Sequence, residues 1–304
     1  MSVVASIIIP VKNGAEKIGA VLESVIHNAR KITFEIIAVD SGSTDGTKDV
    51  IGRYPVKLIE IDPQSFSHGG SRNLGAKSAC GEFLVFLSQD AIPSNDDWLS
   101  CLISPFDDPA IAAVYGRQIP NPDASPFEKF FLYYLYPDRK KIKDSIDAKN
   151  LLLEDIFFSD VASAIRRDVW QSFKFNEDII MSEDQELAKR LLLARRKILY
   201  EPSSVVIHSH SYSLFELFSR NFDSGMSLYG VVKAPFARTI KYEIDFLRAG
   251  AGFLSKNGYW LHLAAFPVYE TFRLAGFTLG YCSAILPRGI KTLLSQNKAY
   301  WKQH

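Results

Sequence analysis

The fold is decided by a strand and turn at residues 35–47, which read EIIAVDSGSTDGT. Residues 34–39 are mostly apolar and rich in β-branched side chains, which predicts a strand buried on both faces. The run ends at Asp40, and glycine, serine and threonine then predict a tight turn that leads into a helix. A buried strand followed by a polar turn and a helix is typical of one unit of an open parallel sheet.

Similar units lie on both sides of this one. Residues 6–11 and 56–61 each predict a short buried strand, and helical periodicity separates the strands. The first 60 residues therefore predict a βαβαβ arrangement and the α/β class, with a mostly parallel sheet. Ligands of such sheets bind beyond the carboxyl ends of the strands, which is where Pro10, Val11 and Asp40 lie.

Two helix starts carry polar features. Asn13 is a candidate cap for the helix after the first strand. Residues 65–76 predict a glycine-rich loop that runs into a helix, and the backbone N–H groups of such a loop can approach an anion. Their spacing matches neither the dinucleotide fingerprint nor the P-loop.

The pattern becomes helical near residue 213, which predicts an α/β domain at 1–213 and a helical region at 214–304. Further short strands are expected at residues 83–87, 111–115, 161–165, 198–200 and 205–207. Residues 120–150 are punctuated by proline and loaded with aromatic side chains. They are interpreted either as a helix packed on the sheet or as a mobile insertion facing a substrate.

Composition excludes several classes of function. The chain has 304 residues, 47% hydrophobic and 23% charged, with a formal net charge of +1. This is the composition of a globular protein and argues against a nucleic-acid partner. The three cysteines are scattered, and no signal peptide is recognised, so a cytoplasmic location is expected. Residues 261–286 carry Glu270 and Arg273, which argues against a membrane span.

Adjacent acids open a predicted helix at Glu183 and Asp184. Acids at a helix start are favoured by the helix dipole, and this alone can explain an isolated pair.

The chain resembles family 2 glycosyltransferases of the GT-A fold over roughly residues 5–213. The resemblance lies in four motifs in the family's order, namely residues 7–13, 35–47, 72–90 and Glu183-Asp184. Three further motifs resemble the rhamnosyltransferase-like branch, namely His68-Gly69-Gly70, Ser88-Gln89-Asp90-Ala91 and His208-Ser209-His210.

The resemblance implies roles for individual residues. Asp184 is the expected general base, with Glu183 supporting it. Mg²⁺ or Mn²⁺ is expected at Asp90, with His208 and His210 as further ligands or as contacts to the diphosphate. Contacts to the nucleotide or the donor are expected from Pro10, Val11, Asn13, Asp40, Gly42, His68, Arg72, Gln89 and Arg220.

Alternatives remain open for several of these residues. Asp40 can instead cap its turn, a part that Asp45 suits better, and Arg72 can pair with Glu82 or another acid. Ser88 stands where many family members have an acid, so strict metal dependence is an open question.

The tail from residue 214 is expected to be helical and aromatic, with basic residues at Arg238, Lys241, Arg248, Lys256, Arg288, Lys291, Lys298 and Lys302. This pattern suits peripheral contact with the inner face of the cell membrane. Packing on the catalytic domain or on a partner in a homodimer is the alternative.

The sequence thus predicts inverting transfer of a sugar, with rhamnose a candidate, from a dTDP- or UDP-linked donor to a glycan or lipid-linked acceptor. Two other functions are weighed against it: nucleotidyl transfer to a sugar phosphate, and a nucleotide-binding scaffold without activity.

Overall fold

The computed structural model describes residues 3–29, 31–233, 236–298 and 300–303. Met1, Ser2 and the side chain of Lys302 lie outside the described part. The strands are β1 Ala5–Val11, β2 Phe34–Asp40, β3 Val56–Glu60, β4 Phe83–Leu87, β5 Ile92–Pro93, β6 Ile111–Ile119, β7 Lys141–Lys143, β8 Ala162–Arg166 and β9 Lys197–Ile207. The helices are α1 Ile18–Asn28, α2 Thr47–Ile51, α3 His68–Lys77, α4 Trp98–Ile103, α5 Pro126–Leu135, α6 Leu153–Ile156, α7 Arg167–Ser172, α8 Glu183–Leu193, α9 Leu214–Ser227, α10 Phe236–Lys256, α11 Trp260–Tyr281, α12 Arg288–Leu294 and α13 Tyr300–Gln303.

All nine strands belong to one mixed sheet with the order β3-β2-β1-β4-β8-β6-β9-β5, and β7 pairs with the other end of β9. The strands β3, β2, β1 and β4 are parallel, as the first 60 residues predict, whereas β8 runs antiparallel to β4 and β6. Because β8 is reversed, its first residues lie at the edge of the sheet where β4 ends. This reversal brings residues 159–161 to the candidate site.

Apolar side chains cover both faces of the sheet. One core layer contains Ile7, Ile9 and Val85 with residues of α1 and α4, and the other contains Ile8, Leu84 and residues of α8. Successive strand residues point to opposite faces, so strands buried on both faces must be apolar throughout. This is why the parallel strands are the easiest to predict from the sequence.

Two local predictions need correction or refinement. The two strands expected at residues 198–200 and 205–207 form the single strand β9, with an irregular register opposite Gly116 and Arg117. In the segment 120–150, the helical interpretation is confirmed by α5, which begins after the capping residue Ser125. Leu132 of α5 packs into the core over the sheet.

The C-terminal helices pack against the rest of the chain through α5 and α9. Phe130 of α5 contacts Phe246 of α10 and Phe266 of α11, and the glycines of α11 allow its backbone to approach that of α9. A Cβ on Gly280, for example, would lie 2.0 Å from the carbonyl oxygen of Phe222. Among the described residues, no helix combines the length and apolarity needed to cross a bilayer.

Candidate active site

The turn after β2 is organised by Asp40. Its Oδ1 accepts hydrogen bonds from the backbone N–H groups of Gly42 and Ser43, both at 2.9 Å. Asp45 accepts from the N–H of Thr47, so both aspartates cap the turn. The other oxygen of Asp40 is buried and has no partner among the described residues. Gly42 has φ +83°, and a Cβ there would lie 2.3 Å from Pro63, so this turn requires glycine.

Asn13 does not cap α1, contrary to the sequence-based expectation. It has φ +48°, and its Oδ1 accepts from the N–H of Thr44 at 2.9 Å, while α1 begins only at Ile18. The side chain therefore ties the end of β1 to the turn after β2.

Gln89 makes a similar tie on the other side of β1. Its amide accepts from the N–H of Lys12 and donates to the carbonyl of the same residue, at 2.9 and 3.1 Å. Next to it, the carbonyl of Val11 accepts from the N–H of Ser41. The end of β1, with Pro10 and Val11, is thus joined to the segments after β2 and β4, and the amide of Gln89 is already used within the protein.

The glycine-rich segment runs into the helix α3, as expected, but Gly69 and Gly70 lie in the first turn of that helix rather than in a loop. His68 begins the helix after the capping residue Ser67, and Gly69 lies so close to residue 176 that a Cβ would meet the carbonyl oxygen of Asn176 at 2.2 Å. These glycines serve close packing rather than an open loop. Burial and the charge of Arg72 lower the pKa of His68 to about 4.

Four side chains form a second feature, which we call the arginine cluster: Arg72, Asp160, Glu183 and Asp184. The guanidinium of Arg72 is buried and pairs with Asp160 and, at 2.7 Å, with Glu183. The alternative interpretation of Arg72, as the partner of an acid, is therefore the one that the structure supports. The ion pair holds the start of α8 against α3.

Asp184 lies half-buried beside this pair. Its Oδ2 accepts from the backbone N–H of Asp160 at 3.3 Å, and its Oδ1 accepts from the N–H of Gln185. Burial, followed by the negative charges of Asp160 and Glu183, raises the pKa of Asp184 well above its ordinary range. Burial also raises the pKa of Asp160, to about 6. Because three carboxyl groups share one guanidinium, the excess of negative charge favours retention of a proton on one of the carboxyl groups.

A third feature is the histidine cluster, formed by Asp90, His208 and His210. One ligand atom from each residue lies within 4.8 Å of the others. The antiparallel pairing of β5 with β9 contributes to it: Ile92 pairs with Ile207, so the turn that carries Asp90 just before β5 lies beside the end of β9, which the two histidines follow. The Nε2 atoms of His208 and His210 lie 3.4 and 3.7 Å from the carboxylate of Asp90.

The imidazole of His208 is oriented by Gln118 of β6. The Nδ1 atom of His208 lies 2.8 Å from Oε1 of Gln118, and the amide nitrogen of Gln118 donates to Ser159 and Tyr136. In this arrangement Nδ1 carries the proton, which leaves the lone pair of Nε2 facing Asp90. Burial alone would raise the pKa of Asp90, but the two imidazoles in their protonated form and the charge of Lys17 lower it below its ordinary range.

Arg220 of α9 is exposed, and its guanidinium lies 5.5 Å from the ring centroid of Tyr212. It belongs to neither cluster.

Asp160 and Gln118 are the two residues of the site that the sequence did not predict. Asp160 joins the arginine cluster because β8 is antiparallel, and Gln118 lies near the end of β6, which is longer than expected. For Gln118, the available indication of a role in the site was its place as a polar residue in an otherwise largely apolar strand. Through Ser159, Gln118 also links the two clusters along the chain.

Comparison with known proteins identifies the family. The model of the family described as Glycosyl transferase family 2 matches residues 6–173. The chain belongs to glycosyltransferase family 2. The match includes the β2 turn, Arg72 and Asp90, and it ends before Glu183, so Asp184 and both histidines lie outside it.

This glycosyltransferase is similar over most of its length to two curated relatives. It is 35% identical to the O-antigen chain rhamnosyltransferase WbaN of Salmonella anatum, with 88% of this chain and 86% of the relative covered. It is 32% identical to the O-antigen chain rhamnosyltransferase RfbN of Salmonella typhimurium, with 97% and 95% covered. The rhamnosyltransferase-like branch expected from the sequence is confirmed.

Solved structures confirm the GT-A fold. A mannosyltransferase from Pyrobaculum calidifontis in complex with GDP-Man and Mn²⁺ has a TM-score of 0.61 at 18% identity. The match covers 92% of this chain and 86% of the mannosyltransferase chain. Residues 1–349 of S. aureus TarS in complex with UDP have a TM-score of 0.53 at 17% identity, with 99% and 88% covered. Membership of this family favours sugar transfer over nucleotidyl transfer.

Proposed function

We propose that this glycosyltransferase transfers a rhamnosyl group, with inversion, from a dTDP- or UDP-linked donor to a glycan or lipid-linked glycan acceptor. The observation that carries the proposal is the link between two parts of the site: Gln118 contacts both His208 and Ser159, and the next residue, Asp160, contacts Asp184. One part offers ligands for a cation beside a diphosphate, and the other offers a carboxylate with raised pKa. The two rhamnosyltransferase relatives support the choice of sugar and acceptor.

The residues of the histidine cluster fit a divalent cation. One carboxylate and two imidazoles face a common point, and the hydrogen bond from His208 to Gln118 leaves Nε2 free to act as a ligand. Nitrogen ligands suit Mn²⁺ better than Mg²⁺. When bound, such a cation would offset the negative charge of the diphosphate. Ser88 adds no carboxylate, so Asp90 is the acidic ligand here.

Asp184 fits the role of general base. Inversion requires that an acceptor hydroxyl attack the anomeric carbon opposite the leaving diphosphate, and a carboxylate within hydrogen-bond reach must take its proton. A base works best with a pKa near the working pH, and the raised pKa of Asp184 moves it in that direction. Glu183 keeps α8 in place through Arg72.

The nucleotide is proposed to lie between the ends of β1 and β2. The free buried oxygen of Asp40 can accept a hydrogen bond from the N–H of a pyrimidine, and this would satisfy its one unpaired polar atom. Exposed Arg220 is proposed to contact the diphosphate.

A thermal-shift screen with transfer as its second readout tests the proposal. A donor that binds the folded state raises the melting temperature in proportion to the logarithm of its concentration. We expect dTDP-rhamnose or UDP-rhamnose with Mn²⁺ to give the largest shift, and to support transfer to a glycan acceptor. No shift with any nucleoside diphosphate sugar, with either cation, would reject the proposal.

We also propose that the outward face of α11 rests on an anionic bilayer. Exposed residues of α11 include Trp260, Leu261, Val268 and Leu279, and no charged residue of this helix is exposed, because Glu270 and Arg273 pair with each other and face inward. Residues 236–298 carry a formal charge of +5, whereas the whole chain carries +1. An apolar stripe with basic surroundings suits anionic lipid better than a second copy of an equally basic surface.

Co-sedimentation with vesicles tests this contact on the full chain. Leu261 is 86% exposed, so Leu261→Asp should weaken binding to phosphatidylglycerol vesicles about tenfold without unfolding the protein. Ile142→Asp is the matched control, since Ile142 is also exposed but lies in β7. Equal sedimentation of all three proteins would reject the contact of α11 with the bilayer. A concentration-dependent dimer that Leu261→Asp dissociates would instead identify a second copy of the chain as the partner of this face.

A further inference from the structure

A cavity of about 330 Å³ adjoins the histidine cluster, because His210 lines both. Three parts of the chain form it: the start of α5, the segment that follows β9, and the first half of α11. A volume of this order is typical of a site for a small molecule. The roles proposed above for the nucleotide, the cation and the base leave this cavity unused.

One wall of the cavity is aromatic and firmly supported. The rings of Phe127 and Tyr269 are stacked with centroids 4.3 Å apart, and His262 meets Phe127 edge-on at 5.2 Å. Behind them lies the apolar cluster of α5, α10 and α11 that includes Phe130 and Phe266. A wall held by this packing is organised before any ligand arrives.

The polar group in the cavity is the carboxylate of Glu128. Its Oε1 accepts from the backbone N–H of His210 at 3.5 Å, and among the described residues no other hydrogen bond or ion pair reaches this carboxylate. Ser125 is already used, because its hydroxyl accepts from the N–H of Glu128 as the cap of α5. Glu128 therefore presents an acceptor to whatever enters the cavity.

We propose that this cavity binds the pyranose ring of one of the two sugar substrates, an inference that rests on the proposed function. The C–H faces of a pyranose pack on aromatic rings, and its hydroxyl groups donate to a carboxylate. Glu128 disfavours an anionic group such as a phosphate in the same place.

The arrangement of the sheet separates this cavity from the proposed nucleobase site. The end of β2, where Asp40 lies, is four strands away from β6, which leads into α5. At a spacing of about 4.8 Å between strands, the ends of β2 and β6 are about 19 Å apart. The cavity borders the histidine cluster through His210 and not the turn of Asp40, which favours a sugar ring over a base there.

Kinetics with both substrates varied test this assignment. Glu128→Gln keeps the shape of the side chain and removes its charge, and we expect the KM for one sugar substrate to rise about tenfold. Asp123→Asn is the matched control, since Asp123 is exposed in the loop before α5 and outside the cavity. A change in the KM of the acceptor assigns the cavity to the acceptor, and a change in that of the sugar donor assigns it to the donor. Unchanged KM values for both would overturn the proposal.

Binding measured directly keeps the cavity testable even if transfer is not observed. Saturation-transfer NMR would use the full chain with methyl α-rhamnoside, methyl α-mannoside and methyl β-glucoside at millimolar concentration. We expect saturation of at least one glycoside in the unmodified protein and a loss of several fold in Glu128→Gln. Absence of saturation for all three would reject the cavity as a sugar site, whereas absence of nucleotide binding alone would reject only the proposed function.

Discussion

The histidine cluster and the arginine cluster balance their charges in opposite ways. In the first, one carboxylate faces two imidazoles, and burial lowers the pKa of His210 to about 4, so this imidazole adds no positive charge beside Asp90 at neutral pH. In the second, three carboxyl groups surround Arg72, and burial raises the pKa values of two of them. The comparison teaches that one cluster offers ligands that fit the proposed cation, whereas the other favours retention of a proton. Each of the following predictions tests one side of that difference.

The largest effect is expected from Asp184→Asn. Because asparagine keeps the shape but takes up no proton, we expect transfer to fall about 10²–10⁴-fold while donor affinity measured by calorimetry persists. Asp178→Asn removes a nearby exposed acid and serves as the control. Transfer at a near-normal rate in Asp184→Asn would remove the base from this cluster.

Arg72→Met tests the charge balance of the arginine cluster. The substitution leaves Asp160 and Glu183 buried without their cation, and we expect the free energy of unfolding to fall by about 3–5 kcal/mol. Denaturant unfolding would measure this, with Arg53→Met as an exposed control. A loss no greater than that of the control would show that the buried pair is not what holds α8 in place.

Asp90→Ala tests the cation side of the comparison. Removal of the only carboxylate in the histidine cluster should weaken Mn²⁺-dependent nucleotide binding about tenfold or more, while affinity without Mn²⁺ stays similar. Titration calorimetry with and without Mn²⁺ makes the measurement, and Asp96→Ala is the control in the exposed turn that follows β5. The same affinity in the variant and the unmodified protein under both conditions would exclude Asp90 as a ligand.

The smallest effect is expected in the pH dependence of transfer. A general base must be unprotonated to act, so kcat should fall as the pH drops through the pKa of Asp184. Because this pKa is raised, the fall should begin at a higher pH than the ordinary aspartate pKa of about 4 would give. Asp160→Asn removes a neighbouring negative charge, which should lower the pKa of Asp184 and move this limb to lower pH. A limb that stays in place in the variant would contradict the electrostatic coupling between the two carboxyl groups.

How far the sequence predicts the site depends on the range of the contacts. β1, β2 and β4 follow from local runs of apolar residues, and Asp40, Asp90 and Asp184 follow from motifs beside them. The pairing of Arg72 with Asp160 depends on an antiparallel β8, which periodicity within one strand does not encode.

The same limit explains the misplaced local features. Asn13 and residues 68–70 have the composition of a cap and a loop, but contacts with Thr44 and Asn176 decide what they do. Local composition predicts which conformations a residue tolerates, and distant neighbours select among them.

The pairing of β5 with β9 has a consequence for the order in which the protein matures. Asp90 and His208 are 118 positions apart, so the ligands of the histidine cluster come together only after the last strand of the sheet has been synthesised and docked. Closing such a long loop is slow compared with local contacts. A nascent chain that has exposed only its first 200 residues therefore holds Asp90 without either histidine, so the proposed cation would bind only after the sheet is complete.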